Sequence, residues 1–158
     1  MLEGARPLCV EVQALVHDTP APLPRRVAQS VDGNRLAMLL AVLQRRAGIP
    51  VAGADVYASV AGGVRVAEPG GDLAIALAVA SARLDRPVPP DTVALGEIGL
   101  GGEVRQVAQT PRRLAEAVRL GMRRAIVPPS TPDVRGLEVV RVADVSDACA
   151  AAGLGAAA

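Results

Sequence analysis

The hydrophobic side chains of this sequence are almost all aliphatic, and many of them are small. Hydrophobic residues make up 51% of the 158 residues, yet the chain has no Phe and no Trp, and Tyr57 is its single Tyr. A chain of this length buries roughly two thirds of its unfolded surface in one domain. Val, Leu, Ile and Ala must therefore fill the core, and side chains of this size require helices and strands that approach one another closely.

Apolar residues alternate in some segments and recur every three or four residues in others, which are the periods of strands and helices. The strand-like segments are 8–16, 55–60, a short stretch around Val64 and Val66, 92–98 with a hairpin partner at 103–107, 125–127 and 137–142. The predicted helices begin at Asp32 or Asn34, at Asp72 as N-cap of 73–84, at Thr110 and at 144–152. We expect one mixed α/β (α+β) domain over 1–158, ordered over about 4–150, with an exposed loop at 17–26 and a frayed tail at 151–158.

The charged side chains are nearly balanced. All 17 cationic side chains are arginines, there is no lysine, and the 16 Asp and Glu residues leave a formal net charge of +1. The whole molecule therefore exerts no long-range attraction on polyanions. Any binding of nucleic acid must come from arginines that cluster locally.

Cysteine and histidine are too few and too scattered for a zinc site. Cys9 and Cys149 lie near opposite ends of the chain, His17 is the single histidine, and their spacing fits no metal-ligand pattern. Free cysteines of this kind favour a reduced, cytosolic setting. The longest apolar stretch, 73–82, is too short to cross a bilayer, so we expect no membrane association.

Five segments resemble a known family. They follow one another between Gly4 and Pro128 and read GARPLCVEVQALV, PRRVAQSVDGNRLAMLLAVLQRRAGI, DVYASVAGGVRV, DLAIALAVASARLDRPVPPDTVALGEIGLGGEVRQV and RRLAEAVRLGMRRAIVP. In this order they resemble the C-terminal Lon-like domain of the RadA (Sms) family of bacterial DNA repair proteins. The resemblance implies a Lon-protease-like fold of the ribosomal-protein-S5 domain 2 type.

In that family the Lon-like domain follows a four-cysteine zinc finger and a RecA-like ATPase core. This chain has no Cys-X-X-Cys, and a G-x-x-x-x-G-K-[ST] phosphate loop is impossible without lysine. The resemblance therefore implies a separately expressed domain without a cofactor of its own, with ATP, Mg and Zn confined to the missing domains. It also implies a cytoplasmic, nucleoid-associated ring hexamer that serves recombination and branch migration and meets recombinase RecA through the full-length protein.

Active Lon-like proteases pair a serine nucleophile with a lysine base. The resemblance places Gly70 at the serine position and Arg113 at the lysine position. Glycine has no nucleophile, and a guanidinium with a pKa above about 12 does not act as a base at neutral pH. We therefore expect a degenerate dyad and no peptidase activity, and the remaining serines, such as Ser59 and Ser81, lack a plausible base.

Two glycine pairs, Gly62-Gly63 and Gly70-Gly71, allow two interpretations. The second pair precedes a helix and could cradle a phosphate at the helix N-terminus. Asp72 directly behind it repels an anion and is suited to cap the helix. Turns are therefore the favoured interpretation.

The arginines are the positive evidence for a partner. If several converge on one face, they neutralise phosphates without reading base sequence. The set expected to contact the backbone of single-stranded or branched DNA is Arg25, Arg26, Arg65, Arg105, Arg112 and Arg113. The alternative is scattered surface salt bridges, for example Arg112 with Glu116. Glu97 and Glu103 flank a tight turn and are expected to be solvated or paired with Arg105, without chemistry of their own.

The resemblance implies a hexamer scaffold and a sequence-independent DNA-binding surface within a larger recombination ATPase. Two other functions stay open. The first is an oligomerisation module that never touches DNA, which self-association without DNA binding would select. The second is a peptidase or another enzyme of the same fold, which turnover of an unfolded protein would establish.

Overall fold

The computed structural model describes residues 2–3 and 6–155, with side chains from residue 6 onward. As the sequence predicts, these residues form a mixed α/β fold. The helices are α1 (Gly33–Arg46), α2 (Asp72–Leu84), α3 (Thr110–Arg119) and α4 (Val145–Ala151), with 3-10 turns at Ala61–Gly63 and Pro69–Gly71. The strands are β1 (Leu2–Glu3), β2 (Arg6–Pro7), β3 (Val12–Asp18), β4 (Arg26–Gln29), β5 (Ala54–Val60), β6 (Thr92–Ala94), β7 (Glu97–Ile98), β8 (Val104–Arg105), β9 (Arg124–Val127) and β10 (Glu138–Arg141).

Two three-stranded sheets dominate this part of the chain. In the first sheet β5 lies in the centre, antiparallel to β3 and parallel to β4. In the second sheet β9 lies in the centre and runs parallel to both β6 and β10. The short strands pair as β1 with β2 and as the β7–β8 hairpin. Because β4 and β5 are parallel, α1 forms the crossover that joins the end of β4 to the start of β5.

The first crossover helix, α1, forms where its sequence predicts. Asp32 Oδ1 accepts a hydrogen bond of 2.8 Å from the Arg35 amide and caps the helix. The leucines at the predicted helical spacing are all buried, namely Leu36, Leu39, Leu40 and Leu43. Arg45 and Arg46 occupy the last turn, where cations complement the helix dipole.

The predicted central helix, α2, packs against β3, α1 and α4. Its buried side chains are Leu73, Ile75, Ala76, Leu77, Val79 and Ala80, together with Asp72. The main core cluster consists of Val, Leu, Ile and Ala with Cys149, while Tyr57 lies half-buried outside it. Small side chains thus let the central helix approach its neighbours closely.

The N-terminus of α2 differs from the prediction. Gly71 is the N-cap residue, and no side chain caps this helix. Asp72 is 1% exposed, and its carboxylate accepts hydrogen bonds from the Ile98 amide (3.0 Å) and from Arg35 Nε (2.9 Å). A buried carboxylate needs such partners. Asp72 therefore hydrogen-bonds to residues distant in the chain instead of capping α2.

The first long strand is displaced along the chain from its predicted position. β3 runs over Val12–Asp18, so residues 8–11 precede it. His17 belongs to this strand and lies opposite Asp55, whereas the sequence placed it in a loop. The half-buried side chains of β3 are the predicted alternating ones, Val12, Ala14 and Val16.

The predicted strand at 92–98 is broken into two strands that belong to different sheets. Leu95 and Gly96 separate β6 from β7. A Cβ on Gly96 would lie 2.7 Å from Val104 Cγ1, so glycine is required where the chain leaves one sheet for the other. The predicted short strand near Val66 is reduced to an isolated bridge with Val31.

The C-terminal segment is packed as far as the structure describes it. The last helix, α4, lies within the predicted segment 144–152, and Asp144 caps it by accepting a hydrogen bond of 2.9 Å from the Asp147 amide. The expectation of a frayed tail is wrong for 151–155, because Leu154 is 1% exposed and the Gly155 carbonyl accepts a bond from Arg86 Nη1. The rest of that predicted tail, 156–158, lies outside the described residues.

Candidate functional site

The structure brings together the two positions at which the resemblance places the catalytic dyad. Gly70 lies in the 3-10 turn directly before α2, and Arg113 lies in the first turns of α3. A Cβ at Gly70 would be 3.3 Å from Arg113 Nη1. A nucleophile and its base would therefore be neighbours here, but the residues present supply a glycine and a guanidinium.

Arg113 is buried in a network of three hydrogen bonds. Nη1 and Nη2 donate to Oε1 and Oε2 of Glu68, each at 2.6 Å, and Nε donates to the Ala108 carbonyl at 2.9 Å. The Arg113 side chain is 5% exposed, and its charge faces the Glu68 carboxylate in bidentate geometry. The expectation that Arg113 contacts DNA phosphate is therefore wrong, because burial and pairing remove it from the surface.

The partner carboxylate, Glu68, was not predicted from the sequence. It lies 45 residues before Arg113 in the chain, a separation that corresponds to no helical or strand spacing. The position of Arg113 is set by local structure at the start of α3. Thr110 Oγ1 donates to the Val107 carbonyl at 2.8 Å, and Gln109 adopts a left-handed backbone with φ of 57°, which together set the start of α3.

A groove of about 1010 Å³ opens beside this pair. Small residues of α2 and of the turn before it line the groove along one side, namely Gly71, Ala74, Ala78 and Ala82. β6 and residues 7–14 also line it, and Thr92 Oγ1 is buried here without a hydrogen-bond partner. Cys9 also lies in the lining, and although the residue is exposed, partial desolvation of its thiol raises the pKa, which favours the protonated thiol over a nucleophilic thiolate at neutral pH.

The serines singled out in the sequence have no base beside them. Ser81 Oγ donates to the Arg86 carbonyl at 2.5 Å, and Ser59 Oγ lies 3.5 Å from Gln29 Oε1. His17 is exposed on β3. None of these contacts activates a hydroxyl.

The two glutamates beside the hairpin turn are paired as expected. Arg105 forms an ion pair with Glu103, and its Nη1 lies 3.9 Å from Glu97 Oε1. The Glu103 backbone amide and the Arg105 guanidinium lower the pKa of the Glu103 carboxyl. Arg35 Nη2 also lies 3.9 Å from Glu97, and its hydrogen bonds to Asp72 raise the pKa of Arg35. Carboxylates therefore neutralise Arg105 at the hairpin.

Of the six arginines expected at DNA, Arg113 is buried and Arg105 is paired with carboxylates. Arg26 is half-buried, while Arg25, Arg65 and Arg112 are exposed and form no ion pair among the described residues. Arg25 directly precedes the first residue of β4. Arg65 lies near the opposite end of β4, because the amide of its neighbour Val66 donates a hydrogen bond to the carbonyl of Ser30, which directly follows β4. These two ends are separated by roughly 15 Å at about 3.3 Å per residue.

The suggested pair of Arg112 with Glu116 does not form. Arg112 Nη1 lies 3.4 Å from Gln109 Oε1 instead. Glu116 accepts two hydrogen bonds from Arg119, at 2.6 and 2.8 Å. Arg112 thus has no carboxylate partner among the side chains that the structure describes.

The described residues contain no group of three or more His, Cys, Asp and Glu side chains that could hold a metal ion. Cys9 and Cys149 are free thiols, the first exposed and the second buried. No helix in the described part of the chain has the length and apolar character needed to span a bilayer.

Known proteins resemble this chain at the level of sequence. A family model described as subunit ChlI of Mg-chelatase matches residues 61–131, the stretch that holds Gly70 and Arg113. DNA repair protein RadA of Escherichia coli is 48% identical over 92% of this chain, and RadA of Bacillus subtilis is 44% identical over 93%. RadA of Mycolicibacterium smegmatis is 49% identical over 88%. This chain is homologous to a segment of RadA.

The RadA homology confirms the resemblance read from the sequence. The chain spans about one third of these RadA proteins, covering 32%, 33% and 30% of their lengths respectively. Gly70, Arg113 and Glu68 all lie within the segment shared with RadA, because the similarity covers nearly the whole chain. The RadA relatives are named for DNA repair, and that name describes the full-length proteins.

Proposed function

We propose that this chain is a non-proteolytic Lon-like domain of a RadA-type recombination and DNA repair ATPase. In that protein it serves as the scaffold of a ring hexamer and as a sequence-independent DNA-binding surface during branch migration. The observation that supports the non-proteolytic part is the Gly70, Arg113 and Glu68 arrangement, in which a buried ion pair stands where a serine and lysine would react.

The chemistry at this position supports the absence of a serine–lysine mechanism. Acyl transfer by a dyad needs an oxygen nucleophile and a neutral amine that takes its proton. Gly70 offers no oxygen, and the guanidinium of Arg113, which donates two hydrogen bonds to the Glu68 carboxylate, is not a neutral amine. Substituting one position alone therefore does not restore a peptidase, because the second defect remains.

A peptidase assay tests this part of the proposal. The purified chain and its Gly70→Ser variant are incubated with fluorescently labelled, unfolded casein, and the release of acid-soluble fluorescence is measured. We expect no release above a mock purification from either protein. Turnover that coelutes with the wild-type chain on gel filtration would contradict the proposal and establish the peptidase alternative.

The DNA-binding part rests on arginines that form no ion pair with a carboxylate in the described part of the chain. Arg25, Arg65 and Arg112 remain from the expected set. Tyr57, the single Tyr in a chain without Phe or Trp, offers little base stacking, so contacts to the phosphate backbone would dominate. Binding should then depend steeply on salt and little on base sequence.

Fluorescence anisotropy with labelled single-stranded and four-way-junction DNA tests this part. We expect binding at 50 mM salt that falls by at least tenfold at 200 mM, in line with the release of counterions. Two oligonucleotides of equal length and different base composition serve as the control for sequence independence. Absence of binding at low salt would contradict this part.

The alternative of a pure oligomerisation module is favoured by a different observation. On the outer face of the first sheet, Leu15, Tyr57 and Val27 lie in one cross-strand row, with Leu15 62% and Val27 44% exposed. Uncharged Gln13, Ser59 and Gln29 form the next row. An exposed apolar row beside uncharged residues is suited to contact another subunit. Self-association without DNA binding at low salt would select this alternative.

Other activities implied by the full-length family belong to domains outside this segment. We infer that ATP, Mg and Zn act there, since this chain has no lysine for a phosphate loop and no Cys-X-X-Cys. Contact with recombinase RecA and work in the cytoplasm at the nucleoid are part of the same proposal. A RecA strand-exchange assay tests this part. The chain is added with and without a full-length RadA, and the rate of strand exchange shows whether the chain affects RecA in the absence of the other RadA domains.

A further inference from the structure

Four arginines lie at the end of the first sheet where β4 begins and α1 ends. Arg25 and Arg26 stand where β4 begins, and Arg45 and Arg46 stand where α1 ends. Because α1 is the crossover between parallel strands, its C-terminus returns to the end of the sheet at which β4 and β5 start. We call these four residues the basic end.

Hydrogen bonds to one loop join the two halves of the basic end. Gln44 Oε1, in the last turn of α1, accepts the amides of Val51 and Ala52 at 2.8 and 3.1 Å. Arg26 Nη2 donates to the carbonyls of the same two residues at 3.0 and 3.1 Å, and Arg26 Nη1 donates to the Ala54 carbonyl. The end of α1 and the start of β4 therefore hold the same loop from two sides.

The acidic groups at this end do not neutralise the basic end. Asp55 is 8% exposed, and its Oδ1 accepts the backbone amide of Arg25 at 2.7 Å. Asp18, at the end of the neighbouring strand, pairs with Arg83 at 2.7 Å. Among the described residues none of the four arginines forms an ion pair. This end of the molecule therefore keeps an excess of positive charge although the whole chain is nearly neutral.

The four side chains have different capacities for a ligand. Arg26 Nη1 and Nη2 donate to backbone carbonyls, so this residue fixes the loop and adds charge. Arg25, Arg45 and Arg46 are exposed, and their side chains form no hydrogen bond with the residues that the structure describes. Their guanidinium groups are free to donate two parallel hydrogen bonds to a phosphate.

We propose that the basic end is a contact surface for the phosphate backbone of DNA, with Arg25, Arg45 and Arg46 as the contacting residues. This inference rests on the proposed DNA binding and assigns it to one place. It adds Arg45 and Arg46, which sequence reasoning left out of the DNA set, and separates them from Arg65 and Arg112. The alternative role of Arg45 and Arg46 is to offset the dipole of α1 without touching a ligand.

A pair of charge-matched double variants tests the proposal. Arg45→Gln with Arg46→Gln removes two charges from the basic end. Arg123→Gln with Arg135→Gln removes two exposed arginines that also lack ion pairs but lie beside the second sheet. Affinity for a labelled 40-nucleotide single strand is measured by anisotropy at several salt concentrations, and circular dichroism melts check folding.

We expect the Arg45/Arg46 variant to bind at least tenfold more weakly at 50 mM salt. We also expect its slope of log affinity against log salt to fall by about 1.4, since each phosphate contact on a single strand contributes about 0.7. The Arg123/Arg135 variant should bind within twofold of the wild type. A further loss on Arg25→Gln would place that residue in the same surface.

Four results would overturn the proposal. Equal weakening in both variants would assign the effect to net charge, and a lower melting temperature with unchanged affinity would leave only the dipole role. Displacement of DNA by polyglutamate of equal charge would indicate an acidic protein partner. In each of these cases wild-type binding survives, and so does the proposed function. Absence of wild-type binding at 50 mM salt would instead remove the DNA-binding function together with the basic end.

Discussion

At the scale of the residue, Arg113 illustrates how burial decides the role of a charge. In the sequence Arg113 directly follows Arg112, and it is one of several arginines in such consecutive pairs that could contact a phosphate. In the fold it is 5% exposed and held by Glu68, next to a glycine that leaves room for its guanidinium. Its position beside Gly70 could be predicted from the resemblance, but its partner could not, because no local spacing connects residues 68 and 113.

Substitution of Glu68 should lower the free energy of unfolding substantially. Glu68→Ala leaves a buried guanidinium without its counterion, and breaking such a pair from one side destabilises by about 3 kcal/mol. The matched control is Glu116→Ala, whose partner Arg119 is 65% exposed, so the free energy of unfolding should fall much less in this variant. Free energies of unfolding from urea titrations compare the two variants. Equal losses would show that the Arg113 pair behaves like a surface salt bridge.

Cys149 should make stability depend on pH in the alkaline range. Burial, and to a smaller extent Asp144, raises the pKa of this thiol from 9.0 to about 11. The folded state therefore holds the proton more tightly than the unfolded state, and this contribution is present below pH 9 and lost as pH rises towards 11. The free energy of unfolding should fall by about 1.4 kcal/mol per pH unit in that window.

Urea titrations of the wild type and of Cys149→Ala between pH 8 and pH 11 check this expectation. The alanine variant lacks the titrating thiol, so its stability should fall less over the same window. Subtracting the two profiles removes the titrations that both proteins share. Parallel profiles would contradict a raised pKa at Cys149.

At the scale of the element, the N-terminus of α2 depends on distant residues. Asp72→Ala removes the acceptor of the buried Ile98 amide and the main partner of Arg35. We expect a loss of about 3 kcal/mol in the free energy of unfolding. Asp32→Ala, which removes the local cap of α1, should cost only about 1 kcal/mol. Similar losses in thermal or urea unfolding would mean that Asp72 acts as an ordinary cap.

Helices were predicted more accurately than strands, and the reason is physical. A helix is specified by neighbours in the chain, so the Asp32 cap and the leucine spacing identify α1 from the sequence. Strands are completed by partners far away in the chain. The break at Gly96 follows from the close approach of Val104, which no local pattern records.

At the scale of the whole molecule, the outer face of the first sheet should control self-association. Leu15→Glu with Val27→Glu places charges on the apolar row while leaving the core untouched, since both side chains are exposed. We expect the wild type to be an oligomer and this variant to be a monomer by light scattering, with an unchanged melting temperature. Leu23→Glu, at a loop residue that is 85% exposed, is the control that keeps the wild-type mass.

Two outcomes would count against this expectation. A wild-type chain that is monomeric at high concentration would remove the scaffold role. An oligomer that survives Leu15→Glu with Val27→Glu would place the subunit contact on another face.

The sequence by itself determined an α/β chain with an aliphatic core and four helices at their approximate places. These properties follow from side-chain chemistry and from spacings of a few residues. Only the tertiary structure decided which arginines are paired with carboxylates and which remain exposed. It buried Arg113 against Glu68, paired Arg105 with Glu103, and gathered Arg25, Arg26, Arg45 and Arg46 at one end. Pairing and exposure depend on residues tens of positions apart, and folding alone brings those together.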